Sequence, residues 1–307
     1  MTTRFVNLKN MTEEKAVMYP TVLCLGNFDG VHIGHRQLVD EVNHQYELLK
    51  DTYAGLKRGA WFFESNSYKG VENILSIDEK LHIFKGLGLD YAMISDFESI
   101  RSISPESFVN DVLRGDCGCV HAVCGENFRF GVRASGDSVA LLSLMDGNAT
   151  VVSLLTDYGN IISSTYIRSL LANGEIENAN RLLGDNYCVA EEVIHGKALG
   201  RTLGIPTINQ DIKSKQLLLN NGIYATICTV REKQYFGVTN IGVRPTVENS
   251  DKKNIETYLI DYNDDCYGEI VKVEFVSRIR DEKKFADVES LKRQIFADIE
   301  RVKNIFK

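Results

Sequence analysis

The chain has 307 residues, 44% hydrophobic and 25% charged, a balance that excludes intrinsic disorder and fibrous repeats and leaves room for two domains. Its 35 Lys and Arg against 42 Asp and Glu give a formal charge of −7, which excludes broad binding to nucleic acid or to an anionic membrane surface. A nucleotide would have to be held by local clusters and backbone N–H groups. From the start, TVLCLGNF (21–28) predicts a buried strand, HRQLVDEVNHQYELLK (35–50) an amphipathic helix and GAWFF (59–63) the next strand. The alternation continues through a helix at IDEKLHIFKGLG, a strand at YAMIS, a helix at SPESFVNDVLRG, a strand at HAVCG, a helix around SVALLSLM and a strand at TVVSLL. That order predicts an α/β domain, a doubly wound parallel sheet with helices on both faces. SSTYIRSLLANGEIENANRLLG (163–184) reads as two helices broken at Asn173-Gly174.

Beyond Tyr187 the period changes. YCVAEEVIHG, YATICTVR, KQYFGVTNIG, IETYLIDY and EIVKVEFVSRIR alternate apolar and polar residues between turn-formers, which predicts an antiparallel β-barrel or sandwich. VESLKRQIFADIERVKNIF (288–306) supplies a terminal helix to pack on it. The change of period alone sets the division, into domains 1–185 and 186–307. No apolar stretch nears the roughly 18 residues that span a bilayer, and the polar, acidic opening lacks a signal peptide's pattern, so the chain reads as cytoplasmic. Seven scattered cysteines, an odd number, read as reduced thiols, and CGCVHAVC lacks the spacing and fourth ligand of a zinc site.

Two segments carry chemistry by their residue types. GNFDGVHIGHRQL (26–38) lies where a buried strand turns into a helix, the place where open parallel sheets bind ligands. Gly26, Gly30 and Gly34 let the backbone approach a phosphate, and His32 and His35, three apart, share one face of the helical start. In HGKALGRTLGIPTIN (195–209), Gly196, Gly200 and Gly204 with Lys197 and Arg201 make a basic loop suited to covering phosphates. Thr207 and Asn209, two apart and so on one strand face, offer the oxygen ligands that Mg²⁺ accepts.

GNFDGVHIGH resembles the HxGH signature of the nucleotidyltransferase superfamily and, in this longer form, the bacterial bifunctional riboflavin kinase/FAD synthetase family. CGENFRFG (124–131), the SSTYIR helix pair and the PTxN motif follow in that family's order, and the resemblance spans about residues 20 to 302. It implies that the first domain is an FMN adenylyltransferase: the phosphate of FMN attacks the α-phosphate of ATP and pyrophosphate leaves, with no protein nucleophile. On this reading His32, His35 and Arg168 act on the phosphates, and Gly26, Asn27, Asp29, Gly30, Gly34, Asn127, Arg129, Ser164 and Thr165 hold the nucleotide. The second domain would be a riboflavin kinase of the barrel-plus-helix type. In it Gly196, Lys197, Gly200 and Arg201 would hold ATP, and Thr207 and Asn209 Mg²⁺. Glu256 in IETYLIDY would be the base that accepts the proton of the ribityl 5′-hydroxyl, and Arg280 and Phe285 in RIRDEKKF would flank the flavin.

Two departures stand out. Asn127 occupies a position where many members have Asp. FFESNS (62–67) replaces a motif like TFEPHP, without the His and both Pro of a stretch that shapes the flavin end of the adenylyltransferase pocket. Two other readings therefore stay open: a riboflavin kinase with a degenerate adenylyltransferase module, and a non-catalytic flavin carrier or sensor. Retention of Thr207, Asn209 and Glu256 speaks against the carrier, which has no use for a base.

Overall fold

A computed structural model describes residues 3–15, 19–64, 71–196, 200, 204–212, 216–243 and 253–307. By its internal packing the chain divides into two compact units, Met1–Tyr166 and Ile167–Lys307.

The first unit is built on a seven-stranded sheet. Thr21–Leu25 (β3) is buried along its whole length, as an inner strand of a sheet covered on both faces must be. It pairs in parallel with Lys57–Phe63 (β4) on one side and Cys119–Gly125 (β6) on the other, so that Leu25 lies between Trp61 and Cys124. Tyr91–Ser95 (β5) extends the sheet beyond β4, and Ala149–Val152 (β9) extends it beyond β6. The edge next to β5 carries a hairpin not anticipated from sequence, Thr3–Asn7 (β1) and Thr12–Glu14 (β2), antiparallel to β5. The order is thus β2-β1-β5-β4-β3-β6-β9, a parallel sheet as expected with one antiparallel edge.

Helices α1 (Ile33–Leu49), α2 (Ile77–Gly86) and α5 (Ser138–Leu144) follow the anticipated order, with single turns α3 (Phe97–Ile100) and α4 (Pro105–Ser107) between them. The helix expected over SPESFVNDVLRG continues from α4 as a π-type helix, Phe108–Asp116, closed by Cys117 N–H to Val112 O at 3.0 Å. Two small hairpins, β7–β8 (Arg129–Phe130, Gly136–Asp137) and β10–β11 (Thr156–Asp157, Asn160–Ile161), complete the unit. The chain moves outward from β3 through β4 to β5 and then returns to β6 on the other side of β3. At such a reversal the connections diverge and leave a crevice at the carboxyl ends of the strands.

Helices α6 (Ser164–Asn173) and α7 (Ile176–Leu183) part at Gly174, whose φ of +77° suits glycine. The Asn180 side chain on α7 donates to Phe275 O (2.8 Å) and accepts from Tyr187 N–H (2.8 Å). These bonds tie α7 to the barrel, so the packing division falls inside α6 while the change of sequence period falls near 185. The second unit is a closed barrel of antiparallel strands in the order β12-β13-β16-β15-β14-β17. Its strands are β12 (Tyr187–Ile194), β13 (Ile208–Asp211), β14 (Gly222–Val230), β15 (Lys233–Val243), β16 (Lys253–Leu259) and β17 (Ile270–Arg280).

Most polar groups inside the barrel pair, although Gln210 Oε1 has no partner among the described residues. Thr226, Thr239 and Thr257 form a hydroxyl chain with links of 2.8 and 2.9 Å, and Gln210 donates to Glu191 O and Val271 O. Helix α8 (Val288–Ile305), capped by Asp287 accepting from Ser290 N–H, packs Ile299 and Val302 against the barrel. All seven cysteines are buried and free, and no helix among the described residues is long and apolar enough to cross a membrane.

Candidate active sites

The first unit holds a cavity of about 650 Å³ at the sheet's reversal point, lined by the ends of β3, β4 and β6 and the starts of α1 and α6. The β3–α1 turn is tightly wound: Phe28, Gly30 and Val31 have φ of +49°, +89° and +40°, and for a β-branched residue such as Val31 that region is strained. His32 caps α1, its Nδ1 accepting from His35 N–H at 3.3 Å. That bond places the ring proton on Nε2. A Cβ on Gly34 would press to 3.2 Å against His32 Nδ1, so glycine lets the ring lie over the helix start.

The His32 and His35 rings stack with centroids 3.6 Å apart. Both line the cavity. Burial holds the His32 imidazole down to about 4. His35 is pushed well below the ordinary histidine range by burial first, and then by the proximity of the His32 ring and the Lys80 ammonium, and its enclosed Nδ1 has no hydrogen-bond partner among the described residues. The rings are therefore neutral donors at neutral pH, whereas the sequence reading expected imidazolium to neutralise charge. Lys80 itself is 1% exposed, its ammonium 5.4 Å from the centroid of Phe62.

At the other lip, Ser163 Oγ accepts from Tyr166 N–H at the start of α6, and Ser164 Oγ donates to Asp29 O at 2.8 Å. The Ser164 hydroxyl proton is thereby engaged with the β3–α1 turn. Gly26, Asn27, His32, Gly34, His35, Asn127, Arg129 and Ser164 line the cavity together. Asp29, Gly30, Thr165 and Arg168 are not among its lining residues; the Asp29 carboxylate is buried and accepts from Ile74 N–H at 2.8 Å, bracing the turn from behind.

The far wall is aromatic. Trp61 meets Phe63 and Phe108 edge-on at 5.0 Å, and Phe128 stacks on Phe130 at 5.6 Å. Arg101 and Arg133, which the sequence reading passed over, also line it. Arg101 is the C-cap of the unanticipated turn α3, and Arg133 has φ +54°; neither belongs to a periodic pattern. Of FFESNS, Phe63 lines the cavity and Phe62 is buried, while Ser65, Asn66 and Ser67 lie outside the described residues.

The second unit has its own cavity, about 270 Å³, between the outer face of the barrel, the β17–α8 connection and α8. Pairing across four strand junctions sets one row of residues on this face: Asn209 opposite Glu256, Glu256 opposite Asn240, Asn240 opposite Ile223, and Ile223 opposite Arg280. Thr207, Glu256, Arg280, Phe285 and Gly200 line the cavity. Glu256 Oε1 accepts from Asn254 Nδ2 at 3.1 Å. Arg280 forks onto Asp298 of α8, with contacts of 2.7 to 3.1 Å, and its guanidinium is 6.0 Å from the Phe285 ring centroid.

Asn209 is buried, and a Cβ on Gly196 would overlap its carboxamide. Thr207 and Asn209 thus put a hydroxyl and an amide oxygen on the strand beside a loop that glycine brings close, a neutral oxygen set suited to a hard cation. Lys197 and Arg201 lie outside the described residues.

Residues 14–166 match the FAD synthetase family model and residues 183–306 the riboflavin kinase model. The bifunctional riboflavin kinase/FMN adenylyltransferase of Bacillus subtilis is 34% identical, covering 91% of this chain and 90% of that protein, and the Escherichia coli protein so described is 32% identical with 90% of each covered. Among solved structures, a macrolide-efflux protein from Streptococcus pneumoniae superposes with a TM-score of 0.85 at 28% identity, 97% of each chain being covered.

Proposed function

This chain belongs to the bifunctional riboflavin kinase/FMN adenylyltransferase family, and on that premise we propose how its two cavities divide the work. It phosphorylates riboflavin to FMN and adenylylates FMN to FAD, with ATP as co-substrate in both steps. The observation that carries the division is that the residues lining each cavity come from one unit only; Arg168, assigned to the first site by resemblance, falls in the second unit and lines neither cavity.

In the first unit the phosphate of FMN attacks the α-phosphorus of ATP, and the bond to pyrophosphate breaks. The neutral rings of His32 and His35 donate ring N–H to phosphate oxygens, and the backbone N–H groups at the start of α6 add partial positive charge. Gly26, Asn27, Asn127 and Arg129 border the nucleotide, and Ser164 joins the start of α6 to the β3–α1 turn. Arg168, Thr165, Asp29 and Gly30 carry their nucleotide roles from the family resemblance. The aromatic wall offers the flat, apolar surface that an isoalloxazine ring needs.

In the second unit Glu256 accepts the proton of the 5′-hydroxyl as its oxygen attacks the γ-phosphorus of ATP, and ADP leaves. Arg280 and Phe285 border the flavin, while Gly196, Lys197, Gly200 and Arg201 cover the phosphates. Thr207 and Asn209 hold Mg²⁺, which when bound offsets the negative charge of the phosphates. The free, buried thiols and the use of ATP support a cytoplasmic setting.

The test supplies the full chain with ATP, Mg²⁺ and either riboflavin or FMN and separates the flavins by chromatography. His35→Ala is expected to lower FAD formation about 10²–10³-fold and leave FMN formation unchanged. Glu256→Gln is expected to lower FMN formation about 10²–10⁴-fold and leave FAD formation from FMN unchanged. Loss of both activities in either variant would refute the division.

A further inference from the structure

Asn240 opens the segment NIGVRPT (240–246) and lines the second cavity without a role assigned to it from sequence. It lies on β15 directly opposite Glu256 in the row that runs from Asn209 to Arg280, and it lines the same cavity. Its Oδ1 is enclosed and has no hydrogen-bond partner among the described residues. An enclosed acceptor left empty is costly; the described barrel strands hold one other enclosed amide oxygen without a partner, Gln210 Oε1, and that residue does not line the cavity. The neighbouring Thr226, Thr239 and Thr257, inside the barrel, all pair.

What would fill this position must donate a hydrogen bond, must reach the row beside Glu256, and must leave the apolar surface of Ile223, Val238 and Tyr258 to a ring. A polyhydroxylated chain attached to a flat aromatic ring meets all three demands. A carboxylate or phosphate does not, since it has no proton for Oδ1, and Glu256 alongside would repel it. Riboflavin has this shape: its ribityl hydroxyls donate and its isoalloxazine is apolar.

We propose that Asn240 is a specificity-determining residue of the kinase site, whose Oδ1 accepts a hydrogen bond from a ribityl hydroxyl and so sets the terminal 5′-hydroxyl against Glu256. This rests on the reading that the second cavity is the flavin end of the kinase site. Asn240 moves no proton in the reaction. It selects flavins that carry the chain and positions the hydroxyl that reacts.

The experiment compares riboflavin with lumiflavin, the same ring without the ribityl chain, for binding to the full protein by flavin fluorescence, and measures phosphorylation of riboflavin. Asn240→Leu, nearly isosteric and without an acceptor, is expected to weaken riboflavin binding and lower kcat/KM about ten- to a hundredfold, leaving lumiflavin binding unchanged. Asn240→Thr, which returns an oxygen to a strand-compatible side chain, is expected to recover part of that loss and carries the test by itself if the Leu variant does not fold. FAD formation from supplied FMN reports that the rest of the chain is intact. Equal weakening for riboflavin and lumiflavin, or weakening for neither, overturns the proposal. Glu256→Gln is run in parallel: if it keeps full kinase turnover, the cavity is not the kinase site and the underlying reading falls with the proposal; if it loses turnover while Asn240→Leu does not discriminate, the proposal alone falls.

Discussion

His32 shows how a side chain can serve the fold and the chemistry through one protonation state. Its Nδ1 must stay unprotonated to cap α1, and burial brings this about by holding the group down to about 4. The ordinary value is near 6.5. The unfolded chain therefore binds a proton below about pH 6.5 that the native state takes up only near pH 4, so stability is unaffected above 6.5 and falls as the pH drops through that window. The full effect is about 3 kcal/mol, of which about 2 kcal/mol has been lost by pH 5; His35, shifted in the same direction, adds to it. His32→Asn keeps a capping oxygen without the titration. Urea unfolding of the first unit at pH 7 and pH 5 is expected to show a smaller loss in the variant by about 2 kcal/mol. An identical pH dependence in both proteins would contradict the burial of a neutral ring.

At the scale of elements, the contact between β17 and α8 closes the second cavity, and beside the bond from Arg301 to Ile279 O and the packing of Ile299 and Val302 it includes one nearly buried ion pair. The Arg280 and Asp298 side chains are 18% and 4% exposed, and Gln294 also donates to Asp298 at 2.8 Å. Asp298→Ala would strand a guanidinium in a site built for a pair, at an expected cost of about 3 kcal/mol. Replacing both partners by apolar residues, Arg280→Met with Asp298→Leu, is expected to restore most of that stability in thermal or urea unfolding while weakening flavin binding. A double variant no more stable than Asp298→Ala would show that the pair is not what seats α8.

The same scale separates what was legible in the sequence from what was not. Apolar runs such as TVLCL and the change of period near residue 187 disclosed the sheet and the barrel, because burial on both faces or on one writes itself into residue type. The β1–β2 hairpin was invisible: it is short, largely polar, and forms because β5 offers an edge. β13, INQD, has no apolar alternation and reads as a strand only through the spacing of Thr207 and Asn209, since Asn209 lies opposite Glu256 and Gln210 donates to carbonyls inside the barrel. The helix expected at 104–115 was legible, but its π-type hydrogen bonding was not, because Phe108, Val109, Val112 and Leu113 suit an ordinary helical stripe equally well. Most motif residues take roles from sequence, whereas Asn240 does not, although it opens NIGVRPT (240–246), for only the strand register places it beside Glu256.

For the whole molecule, the proposed division makes the product of one cavity the substrate of the other, so the FMN concentration that the first unit needs would set how much FMN the chain releases as such. The nucleotide end of that cavity keeps its histidine turn and helix start. At the flavin end, Phe62 packs on Phe28 and Phe84, and Phe63 meets Trp61, so the first two residues of FFESNS hold the sheet end. The family's His and two Pro are replaced by Asn66, Ser65 and Ser67. Proline fixes φ and lowers the entropy lost when a loop closes on its ligand. Without that stiffening, FMN binding is expected to be weaker by about 1.4–2 kcal/mol, or about ten- to thirtyfold, with the phosphate chemistry intact. Supplied with riboflavin and ATP, the unmodified protein should therefore accumulate FMN first and form FAD after a lag. The variant Ser65→Pro, Asn66→His, Ser67→Pro should shorten the lag and lower the half-saturating FMN concentration by about that factor, with kcat for FAD formation and the rate of riboflavin phosphorylation unchanged. Half-saturation at the same FMN concentration in both proteins would show that this stretch does not limit flavin binding, and a change in kcat instead would mean that it acts on the transferring phosphate.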